Sequence, residues 1–289
     1  MTSTQYLGRL VMTSSTIPTT DLPSIFNSHP FKFLVGPGRK EFTMHSALVS
    51  HQSKALDTLV NGGMKEAIEK CVVWDETDEE TFIRFCQFAY TGSYDGADPE
   101  KRKTADLTTI LERASESEAD IVHFPTRHKA KRHVAPLSPD SFTNKKEFLW
   151  YTFTSLHPDP DPEVKSQARH IEPEDDCTDV FLSHARIYVF ADYHGIDGLQ
   201  TLALRNLRRA LTQFTLCEEG SWDVIKLVEY CFKNTWDKEE QPDPLRTLVS
   251  TYTACKFEEL WMNHRFRDLM DSLSEFPKCL LTEILHRLD

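Results

Sequence analysis

The chain has 289 residues, of which 39% are hydrophobic and 27% charged, and its formal net charge is −12. Such a chain can bury a substantial core in one or two soluble domains, and its acidic balance argues against a general nucleic-acid binder, which needs clustered Lys and Arg. The longest run without a charged residue, Phe42–Ser53, is far shorter than the ~20 apolar residues of a membrane span, and the N-terminus lacks the apolar core of a signal peptide.

The seven cysteines are scattered, and no two lie closer than 14 positions. This spacing excludes a CxxC motif and a disulfide framework of the kind found in small secreted domains. We therefore expect reduced, mostly buried thiols and a cytoplasmic or nuclear location.

The first ordered elements are predicted to be a hairpin and two short helices. Residues 1–30 are predicted to form a disordered N-terminal extension, rich in Ser and Thr up to about Thr20. Phe31–Val35 alternates as a strand, the turn Gly36-Pro37-Gly38-Arg39 follows, and Glu41–Thr43 returns as a second strand. Next come helices over Met44–Val49 and Ser53–Val60, the second ended by Gly62-Gly63.

A buried strand over Cys71–Trp74 leads into a well-marked helix. Thr77 and Glu80 have the spacing of a capping box. Phe82, Phe85, Cys86 and Ala89 then recur with helical spacing. The helix is predicted to end at Gly92.

Residues 95–177 have a different character and are predicted to be a mostly disordered acidic insertion. They contain 8 of the 15 prolines, and Asp95–Asp179 carries 18 acidic and 12 basic residues. That balance of −6 is half of the net charge of the chain. The aromatic cluster Phe148–Phe153 is expected to form a short ordered patch.

Helical patterns return after the insertion. A helix begins near Asp179 and ends at Gly195, and a second covers Asp197–Leu211. Four more helices are predicted in the C-terminal part, over Trp222–Asn234, Leu245–Cys255, Lys256–Leu273 and Phe276–Leu288.

Three ordered motifs resemble those of the BTB/POZ domain, especially in proteins of filamentous fungi, where an insertion often splits the domain. They are Lys40–Leu48, Phe82–Gly92, and Ala185–Ile196 followed by Leu199 and Leu202-Ala203. The resemblance implies an α+β fold, with a hairpin in a three-stranded sheet and a cluster of helices. The domain would span 31–94 and 178–213, followed by a helical C-terminal extension over 214–289.

The resemblance also assigns structural roles within these motifs. It places His45 in a structural hydrogen bond rather than in catalysis. The residues that carry the motifs are Phe42, His45, Leu48, Phe82, Phe85, Tyr90, Gly92, Tyr188, Ala191 and Tyr193.

The family consists of interaction modules, so the resemblance implies a protein-interaction adaptor and not an enzyme. In members that serve cullin-3 ubiquitin ligases, a hydrophobic-x-Glu motif contacts the cullin. Met64-Lys65-Glu66 matches it here, with Met64 as the apolar anchor and Glu66 as the acid. The alternative is that this match, which covers only three residues, arises by chance. Tyr193 falls where the family places a tyrosine near the cullin, and the alternative for Tyr193 is a core aromatic.

A second hypothesis is a self-associating scaffold, or a transcription-regulatory protein, without cullin binding. Family dimers rely on an N-terminal helix and strand ahead of the hairpin. In this chain Asp21–Ser28 is short, with Pro23 near its start and Pro30 shortly after it. We therefore expect a monomer or a weak homodimer.

The sequence shows no constellation for catalysis, a cofactor or a metal. His123, His128 and His133 recur every five residues, which places successive imidazoles about 140° apart on a helix. The basic runs Lys101-Arg102-Lys103 and Lys129–Arg132 are either nuclear-import signals or positive blocks in an acidic loop. We expect no cofactor, no membrane contact and no direct nucleic-acid binding, and protein partners only.

Trp222, Trp236 and Trp261 give the C-terminal helices an aromatic character. Fungal relatives have a similar helical tail, comparable in position to the extension that reinforces cullin binding. The alternative is a helical layer that packs on the core, and both can hold at once.

Overall fold

A computed structural model of the chain describes residues 22–102, 145–158, 171–172, 174–238 and 241–288. It contains two compact units. The first is built from Met1–Gly96 and Arg186–Ala203, and the second from Ala97–Ala185 and Leu204–Asp289. The mixture of a small sheet with many helices confirms the predicted α+β class. The three histidines spaced by five residues and the basic run Lys129–Arg132 lie outside the described residues.

The sheet of the first unit has three strands in the order β2-β1-β3. Strands β1 (Pro30–Val35) and β2 (Lys40–His45) form the predicted antiparallel hairpin. Strand β3 (Cys71–Trp74) pairs with β1 in parallel, so that Phe33 lies opposite both Phe42 and Val72. Alternate residues of β1 are buried, as the sequence pattern predicts.

Five helices of the first unit surround this sheet among the described residues up to Gly96. They are α1 (Leu22–Phe26), α2 (Ser46–Ser50), α3 (Lys54–Asn61), α4 (Lys65–Glu69) and α5 (Glu79–Thr91). Helix α1 falls inside the extension predicted to be disordered. That part of the prediction is wrong, because Ile25 is buried and holds the helix in place.

The N-terminus of α5 differs from the predicted capping box. Asp78, not Thr77, is the N-cap residue, and its carboxylate accepts hydrogen bonds from the backbone N–H and the hydroxyl of Thr81. An aspartate in this position satisfies a free helix N–H and complements the helix dipole. The predicted end is confirmed, since Gly92 adopts the left-handed conformation with φ 75°.

An aromatic cluster forms the core of the first unit. The Phe82 ring contacts Phe33 and Phe42 at centroid distances of 5.0 and 4.9 Å. The Phe190 ring contacts Phe85 and Trp74 at 5.1 and 5.6 Å. Complete burial of one such ring contributes about 1.5–3 kcal/mol, so this cluster accounts for much of the stability of the unit.

Two helices contribute to both units. Helix α7 (Thr178–His194) and helix α8 (Asp197–Gln213) each pass from one unit to the other at Ala185–Arg186 and at Ala203–Leu204. The two units therefore divide the segment 178–213, which the sequence analysis assigned wholly to one domain. In the second unit, Phe181 of α7 packs edge-on against Phe214.

The second unit is mainly helical. Its short ladder pairs β4 (Glu100–Lys101) with β5 (Asp175–Asp176). Its remaining helices are α6 (Lys145–Ser155), α9 (Ser221–Asn234), α10 (Pro244–Cys255), α11 (Phe257–Trp261), α12 (His264–Ser272) and α13 (Phe276–Leu288).

The structure tests two predictions for this unit. The expected ordered aromatic patch is present as α6, and Phe153 is completely buried against Tyr252. The single helix predicted over Lys256–Leu273 is instead two helices. The first of them, α11, ends at Trp261, and Asn263 caps α12 through its side chain, which accepts from the Arg265 N–H.

Candidate protein-binding surface

The connection between α3 and α4 exposes apolar side chains of the first unit. Helix α3 ends at Gly62, where a Cβ would lie 2.3 Å from the Thr58 carbonyl oxygen, so only glycine fits. The chain then extends through Met64, which is the N-cap residue of α4 and is 65% exposed. No residue of α4 is buried.

The acidic and basic members of the predicted motif lie on α4 itself. Lys65 forms an exposed ion pair with Glu69, with its Nζ 3.8 Å from the carboxylate. Glu66 is half-buried and its carboxylate makes no ion pair with any residue that the structure describes. The structure thus groups Met64, Lys65 and Glu66 at one helix start, with one carboxylate available to a partner.

Sequence reasoning missed two further exposed apolar residues that follow this motif in the chain. Ile68 is 74% exposed and lies one turn after Met64, and Val73 on β3 is 43% exposed. The signal was the i, i+4 spacing of two apolar residues on a short helix. We call Met64, Glu66 and Ile68 the α4 surface.

Tyr193 lies elsewhere on the first unit. It is 83% exposed near the end of α7, so the alternative that it is a core aromatic is wrong. Its neighbour His194 accepts a hydrogen bond through its carbonyl from the Ser53 hydroxyl, at 2.7 Å, where Ser53 caps the start of α3. Met64 follows the other end of α3, which rises about 12 Å. The structure therefore does not place Tyr193 in contact with the Met64 motif.

The residues assigned to structural motifs are mostly buried. Exposure is at most 1% for Leu48, Phe82, Phe85, Tyr188 and Ala191, while Phe42 and His45 are half-buried. His45 makes the expected structural hydrogen bond, with its Nδ1 2.9 Å from the Tyr90 hydroxyl. Tyr90 is 43% exposed, and Tyr193 is the most exposed residue of the set.

Helix α1 presents a separate apolar patch. Phe26 is 66% exposed and Leu22 is 37% exposed. The Phe26 ring lies edge-on to His45, with centroids 5.7 Å apart. The hydrogen-bonded His45–Tyr90 pair therefore packs against the Phe26 end of this patch.

In the second unit, a shallow groove lies between α6 and the end of α10. It is lined by Lys146, Glu147, Trp150, Cys255 and Lys256. The Lys256 ammonium lies over the Trp150 ring, 5.5 Å from its centroid, and so covers the aromatic wall of the groove. This arrangement stabilises the contact between the two helices.

Neither a metal-binding group nor a membrane-spanning helix is found within the described residues. Among them, no group of three or more His, Cys, Asp or Glu side chains is arranged to hold a metal ion. No helix described by the structure is long and apolar enough to cross a membrane.

Comparison with models of known protein families finds no matching family. Comparison with curated proteins finds no matching relative. The function of the chain is therefore inferred from its own sequence and geometry.

Proposed function

We propose that the chain is a protein–protein interaction adaptor built on a BTB/POZ-type domain, with the α4 surface as its docking site. The single observation that carries the proposal is the simultaneous exposure of Met64 and Ile68 one turn apart on a helix with no buried residue. Exposed apolar anchors beside a charged group are typical of protein interfaces.

The resemblance supports one partner in particular. The motif Met64-Lys65-Glu66 has the hydrophobic-x-Glu form that cullin-3 adaptors use, and its acid makes no ion pair with a described residue. We infer that Met64 and Ile68 enter an apolar pocket of cullin-3 and that Glu66 faces a basic or hydrogen-bonding group there. The chain would then connect a bound protein to a ubiquitin ligase.

The test is titration of the full chain with the N-terminal region of cullin-3 by isothermal calorimetry. We expect the Kd to rise at least tenfold for Met64→Ala, for Ile68→Ala and for Glu66→Lys, since each removes one central contact of roughly 1.4 kcal/mol or more. Two matched controls lie in the second unit, namely Leu281→Ala, at an exposed leucine, and Glu218→Lys, at an exposed glutamate. Both controls should bind as the wild type does.

No binding by the wild type would refute the cullin-3 assignment. If all three surface variants bind cullin-3 as tightly as the wild type does, the contact lies outside the α4 surface.

A second candidate function is a self-associating scaffold without cullin contact. The observation that favours it is the exposed α1 patch of Leu22 and Phe26, supported by His45. Sedimentation of the full chain over a concentration series tests it. Self-association should disappear in Phe26→Glu, whereas a strict monomer at high concentration would exclude this function.

A further inference from the structure

Several cations of the second unit form no ion pair with a described residue, and two of them lie on neighbouring helices. Lys226 on α9 and Arg265 on α12 make no ion pair with any residue in the described part of the chain. Paired cations of the unit include Lys101, Arg102, Lys146, Lys233, Arg246 and Lys256. In a chain of net charge −12, two neighbouring cations without an ion-pair partner form a local positive charge.

Both cations lie over one aromatic ring. The guanidinium carbon of Arg265 is 4.3 Å from the centroid of Trp222, and the Lys226 ammonium is 5.4 Å from the same centroid. These are cation–π distances. The half-buried Trp222 thus fixes two positive groups near each other, where a bound anion can contact both without ordering two flexible side chains anew.

An apolar corner lies next to Arg265 in the chain. Trp261 is 43% exposed and Met262 is 75% exposed, at the junction of α11 and α12. The Arg267 guanidinium donates to the carbonyl oxygens of Trp261 and Met262 at 2.7 and 3.4 Å, which holds the corner rigid. Phe257 packs against Trp261 from behind, with centroids 5.4 Å apart.

We propose that Trp222, Lys226, Trp261, Met262 and Arg265, here called the α9–α12 surface, bind an acidic peptide segment of a partner protein. Its carboxylates would pair with Lys226 and Arg265, and a bulky apolar side chain beside them would cover Trp261 and Met262. A peptide fits better than a nucleic acid, because a phosphate backbone uses the two cations but offers nothing to an exposed Met.

The nearby carboxylates set limits on the strength of this attraction. Asp268 follows Arg265 by about one turn on α12 and is exposed. Glu229 on α9 is occupied by Lys233, 2.6 Å away. Burial of Asp176 disfavours its charged form, but hydrogen bonds from Thr178 and the nearby charge of Lys226 help to lower its pKa. We therefore expect an affinity that depends on the apolar contact as well as on charge.

The experiment measures fluorescence anisotropy of a labelled ten-residue peptide of Asp and Glu with one central Phe, added to the full chain. A Kd in the micromolar range that weakens as salt is raised is expected. Arg265→Gln and Lys226→Gln should each weaken binding about tenfold, as removal of one charged partner does. The matched controls Lys54→Gln and Lys278→Gln remove the same charge from exposed sites elsewhere and should bind as the wild type does.

Two peptide controls define the specificity. Replacing Phe by Ser should weaken binding, and replacing the acids by Lys should abolish it. Absence of binding by the wild type, or equal loss in the control variants, would overturn the proposal. Stronger binding of a single-stranded oligonucleotide than of the peptide would also overturn it. If Lys226 and Arg265 serve only to stabilise the fold, their variants will have a lower melting temperature. The folded wild type will then not bind the peptide.

Discussion

The imidazole of His194 stacks on the indole of Trp74, with ring centroids 4.4 Å apart and an interplanar angle of 31°. The Phe190 ring covers it as well, at 4.5 Å. Burial among these rings lowers the pKa of His194 to about 4, because a charged imidazolium loses its hydration there. Since the His194 carbonyl also accepts from Ser53, this residue joins α7 to the start of α3.

The first prediction concerns acid sensitivity of the first unit. In the unfolded chain His194 titrates near pH 6.5, whereas the folded state resists protonation down to about pH 4. Between these values the unfolded state binds more protons, so stability falls as pH decreases from about 6.5 to 4. We expect His194 to contribute on the order of 2 kcal/mol to this loss.

The measurement is urea denaturation at several pH values for the wild type and for His194→Asn. The variant lacks the titrating group, so its stability should vary less with pH through that window. Parallel pH profiles for the two proteins would show that His194 is protonated equally well in the folded state. Other groups, such as His157 with its pKa lowered by burial, are present in both proteins and cancel in the difference.

The second prediction concerns the glycine that ends α7. Gly195 has φ +66°, and no heavy atom lies within 4 Å of the position that a Cβ would take, so its requirement is conformational and not steric crowding. Gly195→Ala should destabilise the protein by about 1 kcal/mol, and Gly195→Asn by less. Gly38 is the control, since it has open space and no positive φ. Gly38→Ala should be neutral or slightly stabilising. Thermal denaturation that shows equal effects at both positions would contradict this account.

Sequence patterns predicted the elements whose signals are local. The alternation of Phe31, Phe33 and Val35 indicated β1, and the helical spacing of Phe82 and Phe85 indicated α5 and its buried face. The cap of α5 was misassigned because Thr77 and Asp78 are both good capping residues. Only the backbone conformation distinguishes them.

Features of the candidate surfaces depended on distant residues and could not be read locally. The exposure of Tyr193 is one case, since its helix is buried on most sides. The pairing of Trp222 with Arg265 joins residues more than 40 positions apart. No periodicity in either segment indicates such a contact.

The third prediction concerns two tyrosine hydroxyls with opposite environments. Tyr252 is completely buried, and its hydroxyl has no hydrogen-bond partner among the described residues. Removing an unsatisfied polar group avoids its desolvation penalty, so Tyr252→Phe should be neutral or stabilise the protein by about 1 kcal/mol. The Tyr90 hydroxyl bonds to His45 at 2.9 Å, so Tyr90→Phe should destabilise by about 1 kcal/mol. Guanidinium denaturation of both variants checks the contrast. A clear loss of stability in Tyr252→Phe would mean that its hydroxyl has a partner.

The fourth prediction concerns the buried ion pair of the second unit. The Arg102 guanidinium donates to the Asp223 carboxylate at 2.6 Å, and Asp223 is completely buried. That carboxylate also accepts from the Cys177 N–H and the Thr178 hydroxyl, both at 3.0 Å. Asp223 thereby connects β4, the start of α7 and α9.

Removing one partner should cost far more than removing both. Asp223→Asn leaves the buried Arg102 charge without its ion-pair partner, so we expect a loss of about 3 kcal/mol or more. The double variant with Arg102→Met should recover part of that loss, because no unpaired charge remains. Lys101→Met is the matched control, since its ion pair with Asp175 is exposed on the lysine side and should contribute less than about 1 kcal/mol. Urea denaturation of the wild type, Asp223→Asn, Arg102→Met and the double variant gives the coupling energy between Arg102 and Asp223. Additive losses in the double variant would show that the two groups do not interact energetically.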